Sequence, residues 1–232
     1  MKINTNSNTY TIIYACVVVI VVAFLLSFAS SALSPKITAN ERIDKQKQIL
    51  SSLGISVPQD QVESTYAATI VRDIIVNDKG EVVDTTGGFE IAIKEISADR
   101  LPFYECRVDT TTKYVIPLVG KGLWGTIWGY IAVDADCRTI YGAYFSHESE
   151  TAGLGALMAE KPFQDEFKGK SLYDESGTVI SVVKFGTKQD NPSMQCDGLS
   201  GATLTTNGIT DMLRDYVGMY RQYLNKQSST NQ

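Results

Sequence analysis

The chain begins with an apolar run that contains no charged residue from position 11 to position 33. As an α-helix this run would be about 34 Å long, which is enough to cross the hydrocarbon core of a bilayer. Tyr10 and Tyr14 lie near one end, where amphipathic rings favour the membrane interface. A cleaved signal peptide is the competing interpretation, but the run is long for one and no clear cleavage site follows it. The sequence therefore predicts an uncleaved single membrane span.

The change from apolar to mixed composition after this run predicts the division of the rest of the chain. In the segment that follows, Ile43, Leu50 and Leu53 are spaced as on one face of a helix, which Gly54 can end. We expect five parts: an N-terminal tail (1–10), the transmembrane helix (11–33), a helical stem (34–56), a soluble domain (57–226) and a polar tail (227–232).

The soluble part alternates between apolar, β-branched runs and turn signals. The predicted strands are 69–76, 81–83, 114–119, 126–133, 139–145 and 178–185. Apolar residues then recur at helical spacing over 209–224, which predicts an amphipathic C-terminal helix packed on a sheet. The predicted fold class is α+β: one transmembrane helix, then a soluble domain with an antiparallel sheet and this C-terminal helix.

Charge and cysteine content exclude several classes of function. The net charge is -5 and no basic stripe is visible, which argues against nucleic-acid binding. The chain has four cysteines, no CxxC pair and only one histidine, so a zinc or iron–sulfur site is not expected and no metal ligands are assigned. We interpret Cys106, Cys137 and Cys196 as small buried hydrophobes, with one disulfide among them as the alternative.

The stretch DGLSGATLTTNG, residues 197–208, gathers glycines and hydroxyl side chains just before the predicted helix. Backbone N–H groups at a helix start face a potential anion site, and the helix dipole favours negative charge there. Gly201 and Ala202 would let a phosphate ester approach the backbone closely. Three hydroxyls are available for bonding or attachment, those of Thr203, Thr205 and Thr206. An ordinary helix cap is the alternative interpretation.

The first part of this stretch, DGLSGAT, resembles the flavinylation motif of the FMN-binding domain family, D-x-x-S/T-G-A-T. In that family a flavin transferase uses FAD and esterifies the FMN phosphate onto the last threonine, which corresponds to Thr203. Asp197 corresponds to the acidic position, which serves the transfer step through a metal held with the transferase. The resemblance also implies cofactor contacts from the residues between them, Ser200, Gly201 and Ala202.

Two other stretches resemble loops found in members of the same family. ETAGLG, residues 150–155, is similar to the family's ETPGLG loop, with Ala152 where proline is usual; this changes loop stiffness more than chemistry. GKGLWG, residues 120–125, is similar to the glycine-tryptophan loop of the C subunits of the sodium-translocating NADH:quinone reductases. The resemblance implies polar contacts to the flavin from Glu150 and Thr151 and apolar contacts from Leu154 and Trp124. The plainer alternatives are core packing for Trp124 and Trp128 and a solvated loop charge for Glu150.

The function implied by the resemblance is that of an electron-transfer subunit, which is not catalytic alone. It would carry covalent FMN on Thr203 and relay electrons from NADH toward ubiquinone, coupled to sodium export. The implied partners are the other subunits of the membrane complex, the flavin transferase during maturation, and membrane lipid. Two alternatives stay open: the homologous FMN-carrying G subunit of the Rnf ion pump, and a membrane-anchored scaffold domain without flavin.

The side of the membrane is predicted differently by charge and by resemblance. Lys36, Arg42, Lys45 and Lys47 follow the span, and this bias favours a cytoplasmic domain. The resemblance implies a bacterial inner-membrane protein with one span and a periplasmic flavin domain, and long domains translocate despite local charge. We therefore expect the periplasmic side.

Overall fold

The computed structural model describes residues 7–230 and divides the chain into two compact units, residues 1–45 and 46–232. The expected tails lie partly outside the described residues, at 1–6 and 231–232. Residues 8–10 and 227–230, which were also expected to be tail, are helical.

Helix α1 (Asn8–Ser52) includes the apolar run and most of the expected stem, and most of this helix lies in the first unit. Among residues 7–230 it is the one helix long and apolar enough to cross a membrane, by length and composition. The side chains of its apolar run are exposed, as a lipid-facing surface requires. Pro35 lies inside the helix without ending it.

The second unit is built on a six-stranded antiparallel sheet in the order β2-β1-β3-β4-β5-β6. The strands are β1 (Ile70–Val76), β2 (Val82–Asp84), β3 (Leu101–Val108), β4 (Thr111–Lys121), β5 (Thr126–Asp134) and β6 (Ile140–His147). A parallel pair is formed by β7 (Ser181–Val183) and β8 (Gln195–Asp197). The other helices are α2 (Val62–Thr69), α3 (Lys161–Asp165) and α4 (Thr203–Thr230).

The central strands are buried on both faces, which explains their nearly continuous apolar sequence. On β4, Val115 packs in a cluster with Ile49 from the end of α1, while the next residue, Ile116, packs in the cluster that contains α4. The last turns of α1 and the length of α4 therefore cover opposite faces of the sheet, since successive strand residues point to opposite sides.

Two glycines let α4 lie very close to the end of β4. A Cβ on Gly120 would lie 2.7 Å from the Met212 Cβ, and a Cβ on Gly208 would lie under 3.0 Å from the Lys121 carbonyl oxygen. This approach places the first turns of α4 beside the turn that joins β4 to β5.

The α+β class and the antiparallel sheet are confirmed, but several elements differ from the prediction. Strands β3 and β8 and helix α3 were not predicted. The strand expected over 178–185 is reduced to Ser181–Val183, which pairs with β8, and the Thr210 hydroxyl bonds both the N–H and the carbonyl of Val182. Helix α4 begins at Thr203, six residues before the expected start at 209, so it includes the end of the motif.

The interpretation of the cysteines as buried small hydrophobes is confirmed. Cys106, Cys137 and Cys196 are all buried and free, so the alternative disulfide does not form. Cys196 adjoins the motif, and its thiol donates to the Glu166 carbonyl.

Candidate functional site

The motif forms the turn between β8 and α4. Gly201 has φ of 73°, a left-handed conformation that favours glycine, and it turns the chain into the helix. The Ala202 carbonyl accepts the Thr206 N–H at 2.9 Å, so Ala202 occupies the capping position. Thr203 is therefore the first residue of α4, beside the helix end whose unpaired N–H groups favour an anion.

The three threonines of this first turn have different environments. Thr205 is buried and its hydroxyl donates to Glu150 Oε2 at 2.6 Å. Thr206 is also buried, and its hydroxyl accepts the Leu199 N–H at 3.1 Å. Thr203 is exposed, and its hydroxyl bonds to no other described residue. Only Thr203 among them offers a free, accessible hydroxyl.

A cavity of about 230 Å³ opens beside Thr203. It is formed by the turn after β4, the loop after β6 and the start of α4. Its lining residues are Leu123, Glu150, Thr151, Leu154, Gly155, Gly201, Ala202, Thr203, Leu204 and Thr205. The structure thus brings together six residues that the sequence predicted: Glu150, Thr151, Leu154, Gly201, Ala202 and Thr203.

Glu150 is not a solvated loop charge, since it is only 7% exposed. Its Oε1 accepts the Trp124 N–H at 2.9 Å and its Oε2 accepts the Thr205 hydroxyl. Its own N–H donates to His147 Nδ1 at 3.2 Å. The carboxylate therefore links the turn after β4 to the first turn of α4.

Trp124 does not pack in the core, because the residue is 65% exposed. Its backbone is held in place: the N–H donates to Glu150, and the carbonyl accepts the Ser149 hydroxyl at 3.0 Å. Trp124 is not among the residues that line the 230 Å³ cavity. Trp128, on β5, packs against the cluster that contains Ile49, and its indole N–H donates to Gln48 Oε1 at 2.9 Å, so core packing holds for this tryptophan.

Asp197 and Ser200 line a different cavity, of about 480 Å³. Asp197 is half-buried and its Oδ1 accepts a hydrogen bond from Gln189 Nε2 at 2.9 Å. The other lining residues are Leu157, Glu160, Pro162, Phe163, Glu166, Phe185, Gly198 and Leu199. The seven-residue motif therefore borders two cavities, with its acidic residue on one and its final threonine on the other.

Sequence reasoning missed four residues of the smaller cavity: Leu123, Gly155, Leu204 and Thr205. Leu123 and Gly155 lie inside the two stretches that had already been singled out, and Leu204 directly follows the motif. Thr205 had been considered only as another acceptor hydroxyl. Its pairing with Glu150 spans 55 positions, and nothing local in the sequence indicates it.

The residues of the smaller cavity fit an FMN group attached at Thr203. The free hydroxyl lies at the helix end that favours a phosphate. Leu123, Leu154 and Leu204 are exposed apolar side chains available to a flavin ring. A Cβ at Gly155 would lie under 3.0 Å from Glu150 and Thr205, so glycine keeps this wall of the cavity open.

A known family of domains matches the part of the chain that contains this cavity. The FMN-binding domain family matches residues 122–218, which include most of the 120–125 stretch, all of the 150–155 stretch and the start of α4. The C subunit of the Na(+)-translocating NADH-quinone reductase of Haemophilus ducreyi is 29% identical, with 99% of this chain and 98% of that protein covered. Its counterpart in Pseudomonas aeruginosa is also 29% identical, over 93% of each chain.

The crystal structure of the corresponding C subunit from Parabacteroides distasonis superposes with a TM-score of 0.78 and 38% identity. The superposition covers 83% of this chain and 96% of that one. Shewanella oneidensis NqrC, at 24% identity, has the same fold, with a TM-score of 0.71.

Proposed function

Because the chain belongs to the family of C subunits of the Na(+)-translocating NADH-quinone reductases, we propose that it carries FMN covalently on Thr203 and relays electrons within such a complex. The observation that carries the proposal is the position of the Thr203 hydroxyl. It is exposed, free of protein partners among the described residues, at the start of α4 and in the wall of a cavity of about 230 Å³.

Attachment uses the Thr203 oxygen as the nucleophile. Thr203 Oγ1 attacks the FMN phosphorus of FAD, the bond from that phosphorus to the bridging oxygen breaks, and AMP leaves. The hydroxyl proton is lost to a base of the transferase, and no electrons are exchanged. Thr205 and Thr206 are poor acceptors, because both are buried and their hydroxyls are already bonded.

The chain's own residues hold and shape the site. The first N–H groups of α4 stabilise the negative phosphoester through the helix dipole. Gly201 lets the backbone turn tightly before Thr203, and the exposed leucines Leu123, Leu154 and Leu204 would offer apolar contacts to the flavin ring. Bound FMN supplies the electron-transfer chemistry, and the ester keeps it from dissociating between turnovers.

The partners follow from this role. Electrons from NADH must arrive through other parts of the reductase, because no segment of this chain within residues 7–230 resembles a dinucleotide-binding unit. Its one G-x-G-x-x-G stretch, residues 120–125, joins two antiparallel strands, whereas that unit joins a strand to a helix. A flavin transferase would act once, during maturation, and lipid would surround the candidate span of α1. The site would be on the periplasmic side of a bacterial inner membrane.

The test is in-gel flavin fluorescence of the full-length chain, expressed with a flavin transferase and run under denaturing conditions. We expect a fluorescent band for the chain with its native sequence and for Thr203→Ser, which keeps a hydroxyl. We expect a dark band for Thr203→Val, which is nearly isosteric but has no acceptor oxygen. The mass of the peptide from Asp197 to Arg214 would show the adduct directly.

A dark band for the chain with its native sequence would favour the scaffold alternative and contradict the proposal. Fluorescence that persists in Thr203→Val would place the ester elsewhere, and Ser200, the other exposed hydroxyl of the motif, would be tested next.

A further inference from the structure

The Glu150 carboxylate is buried in the wall of the 230 Å³ cavity. Within residues 7–230, Glu150 is 7% exposed and takes part in no ion pair with a lysine, arginine or histidine. A buried carboxylate is costly unless other groups compensate it, so such residues are rare without a partner. The position of Glu150 therefore requires a structural reason.

The compensation comes from two hydrogen-bond donors in separate segments. The Trp124 N–H belongs to the turn after β4, and the Thr205 hydroxyl belongs to the first turn of α4. Thr205 is the third residue of α4, so the carboxylate also lies at the positive end of the helix dipole. Glu150 thus holds the two segments together on either side of the cavity.

Two glycines leave the carboxylate little space to move. A Cβ on Gly122 would lie 2.5 Å from Glu150 Oε1, and a Cβ on Gly155 would lie under 3.0 Å from Oε2. Both glycines have φ outside the left-handed region, so a turn conformation does not explain them. Close packing around the carboxylate does explain them, and it keeps the charge at one place in the cavity wall.

We propose that Glu150 and Thr205 are positioning residues: their hydrogen bond holds the start of α4 against the turn after β4, and the Glu150 charge lowers the reduction potential of a flavin at Thr203. This rests on the proposed function. A fixed negative charge in the cavity wall disfavours the addition of electrons nearby, and the effect is larger in a buried site than in water. Neither residue needs to bond to the flavin for this effect.

The experiment uses the full-length chain, loaded with FMN by the transferase, and measures covalent loading and midpoint potential. Glu150→Gln keeps the shape and can still accept the Trp124 N–H, but it removes the charge. Thr205→Val removes the hydroxyl and leaves Oε2 without that donor, while Thr205→Ser restores it. The matched control is Glu148→Gln: Glu148 is exposed on the same loop and lines a different cavity, with Thr126 and Lys94.

A second readout needs no flavin. In a Thr203→Val, Trp128→Phe background, Trp124 is the one remaining tryptophan, and its fluorescence anisotropy reports the mobility of the turn after β4. Adding Thr205→Val should lower this anisotropy, because the carboxylate that holds the Trp124 N–H loses its second anchor. Thr205→Ser should leave it unchanged.

We expect Glu150→Gln to carry at least half as much covalent FMN as the chain with its native sequence. We expect it to shift the flavin midpoint potential positively, by more than Glu148→Gln does. We expect Thr205→Val to reduce loading several-fold, and Thr205→Ser to recover it. The proposal is overturned if Glu150→Gln and Glu148→Gln give the same potential, or if Thr205→Val leaves both loading and anisotropy unchanged.

Failure of the proposed function would look different. In that case the chain with its native sequence would carry no covalent flavin. The fluorescence anisotropy of Trp124 would still fall in Thr205→Val if the hydrogen bond holds the turn after β4.

Discussion

At the residue scale, the three threonines at the start of α4 differ in what their hydroxyls contact. Thr205 and Thr206 are 1% exposed and bonded, whereas Thr203 is exposed and its hydroxyl has no partner within residues 7–230. Helix geometry causes this difference, because consecutive positions face different directions and only some of them face the core. Whether a threonine of this turn can accept the flavin therefore depends on the face of α4 that it occupies as well as on its hydroxyl.

Gly155 is expected to be intolerant of a side chain. Gly155→Ala would place a Cβ under 3.0 Å from Glu150 and 2.7 Å from the Thr205 hydroxyl. We expect a loss of about 1–3 kcal/mol in the free energy of unfolding, together with reduced flavin loading. Chemical denaturation of the full-length chain in detergent measures the first effect, and in-gel fluorescence measures the second.

The matched control is Gly218→Ala, on an open face of α4 where an added Cβ meets nothing within 4 Å. Alanine favours a helix more than glycine does, so this variant should gain about 0.5–1 kcal/mol. Equal effects of the two variants would mean that the packing around Glu150 is looser than described.

The thiols of the soluble unit are expected to be inert in the folded chain. Burial raises the pKa of Cys137 and of Cys196 to about 12, and it raises the pKa of Cys106 well above its usual range. The thiolate is the reactive form, and a raised pKa keeps it scarce near neutral pH. In a Cys16→Ser background, a thiol reagent should label none of the three within minutes in the native state and all three in denaturant. Rapid labelling of the native chain would contradict this.

At the scale of elements, the site depends on how α4 approaches the end of β4. Gly120 and Gly208 permit a close approach, which brings the first turn of α4 to the turn after β4. The loop after β6 then closes the cavity from the other side through Glu150. Three segments distant in sequence therefore build one site, and the sheet sets their spacing.

The end of α1 is expected to contribute to the stability of the soluble unit. Ile49 is fully buried in the cluster on the sheet face opposite α4. Ile49→Ala should lower the free energy of unfolding by about 2–5 kcal/mol, because it removes buried methyl groups and leaves a cavity. Lys47→Ala, at an exposed position on the same helix, should change it by less than about 0.5 kcal/mol. Thermal or chemical unfolding followed by circular dichroism would distinguish them, and similar losses would contradict the packing.

At the scale of the whole molecule, the two units have different roles. Residues 1–45 contain the candidate membrane span, and residues 46–232 contain the cavity and the motif. Four basic residues follow the apolar run, a bias that by itself favours a cytoplasmic domain. We propose the opposite side, because the chain belongs to the C-subunit family and long domains translocate despite local charge.

The side of the membrane can be measured by protease treatment of spheroplasts, with an epitope tag appended after Gln232. We expect the tag to be lost while a cytoplasmic marker remains intact, because a periplasmic domain is exposed to the protease. A tag that survives until the spheroplasts are lysed would place the domain in the cytoplasm and would rule out attachment by a periplasmic transferase.

Much of this protein was determined by its sequence alone. The uncharged run predicted the long N-terminal helix, the alternating runs predicted most of the sheet, and DGLSGAT located the motif at the start of the last helix, because these signals are local in the chain. Strand β3 and the true start of α4 were missed, since long-range packing decides where such elements begin and end. The tertiary structure alone decided that Thr203 is free while Thr205 is bonded to Glu150, and that Asp197 and Ser200 face a second cavity. The physical reason is that burial and hydrogen-bond partners depend on which distant segments meet, and no local pattern in a sequence records that.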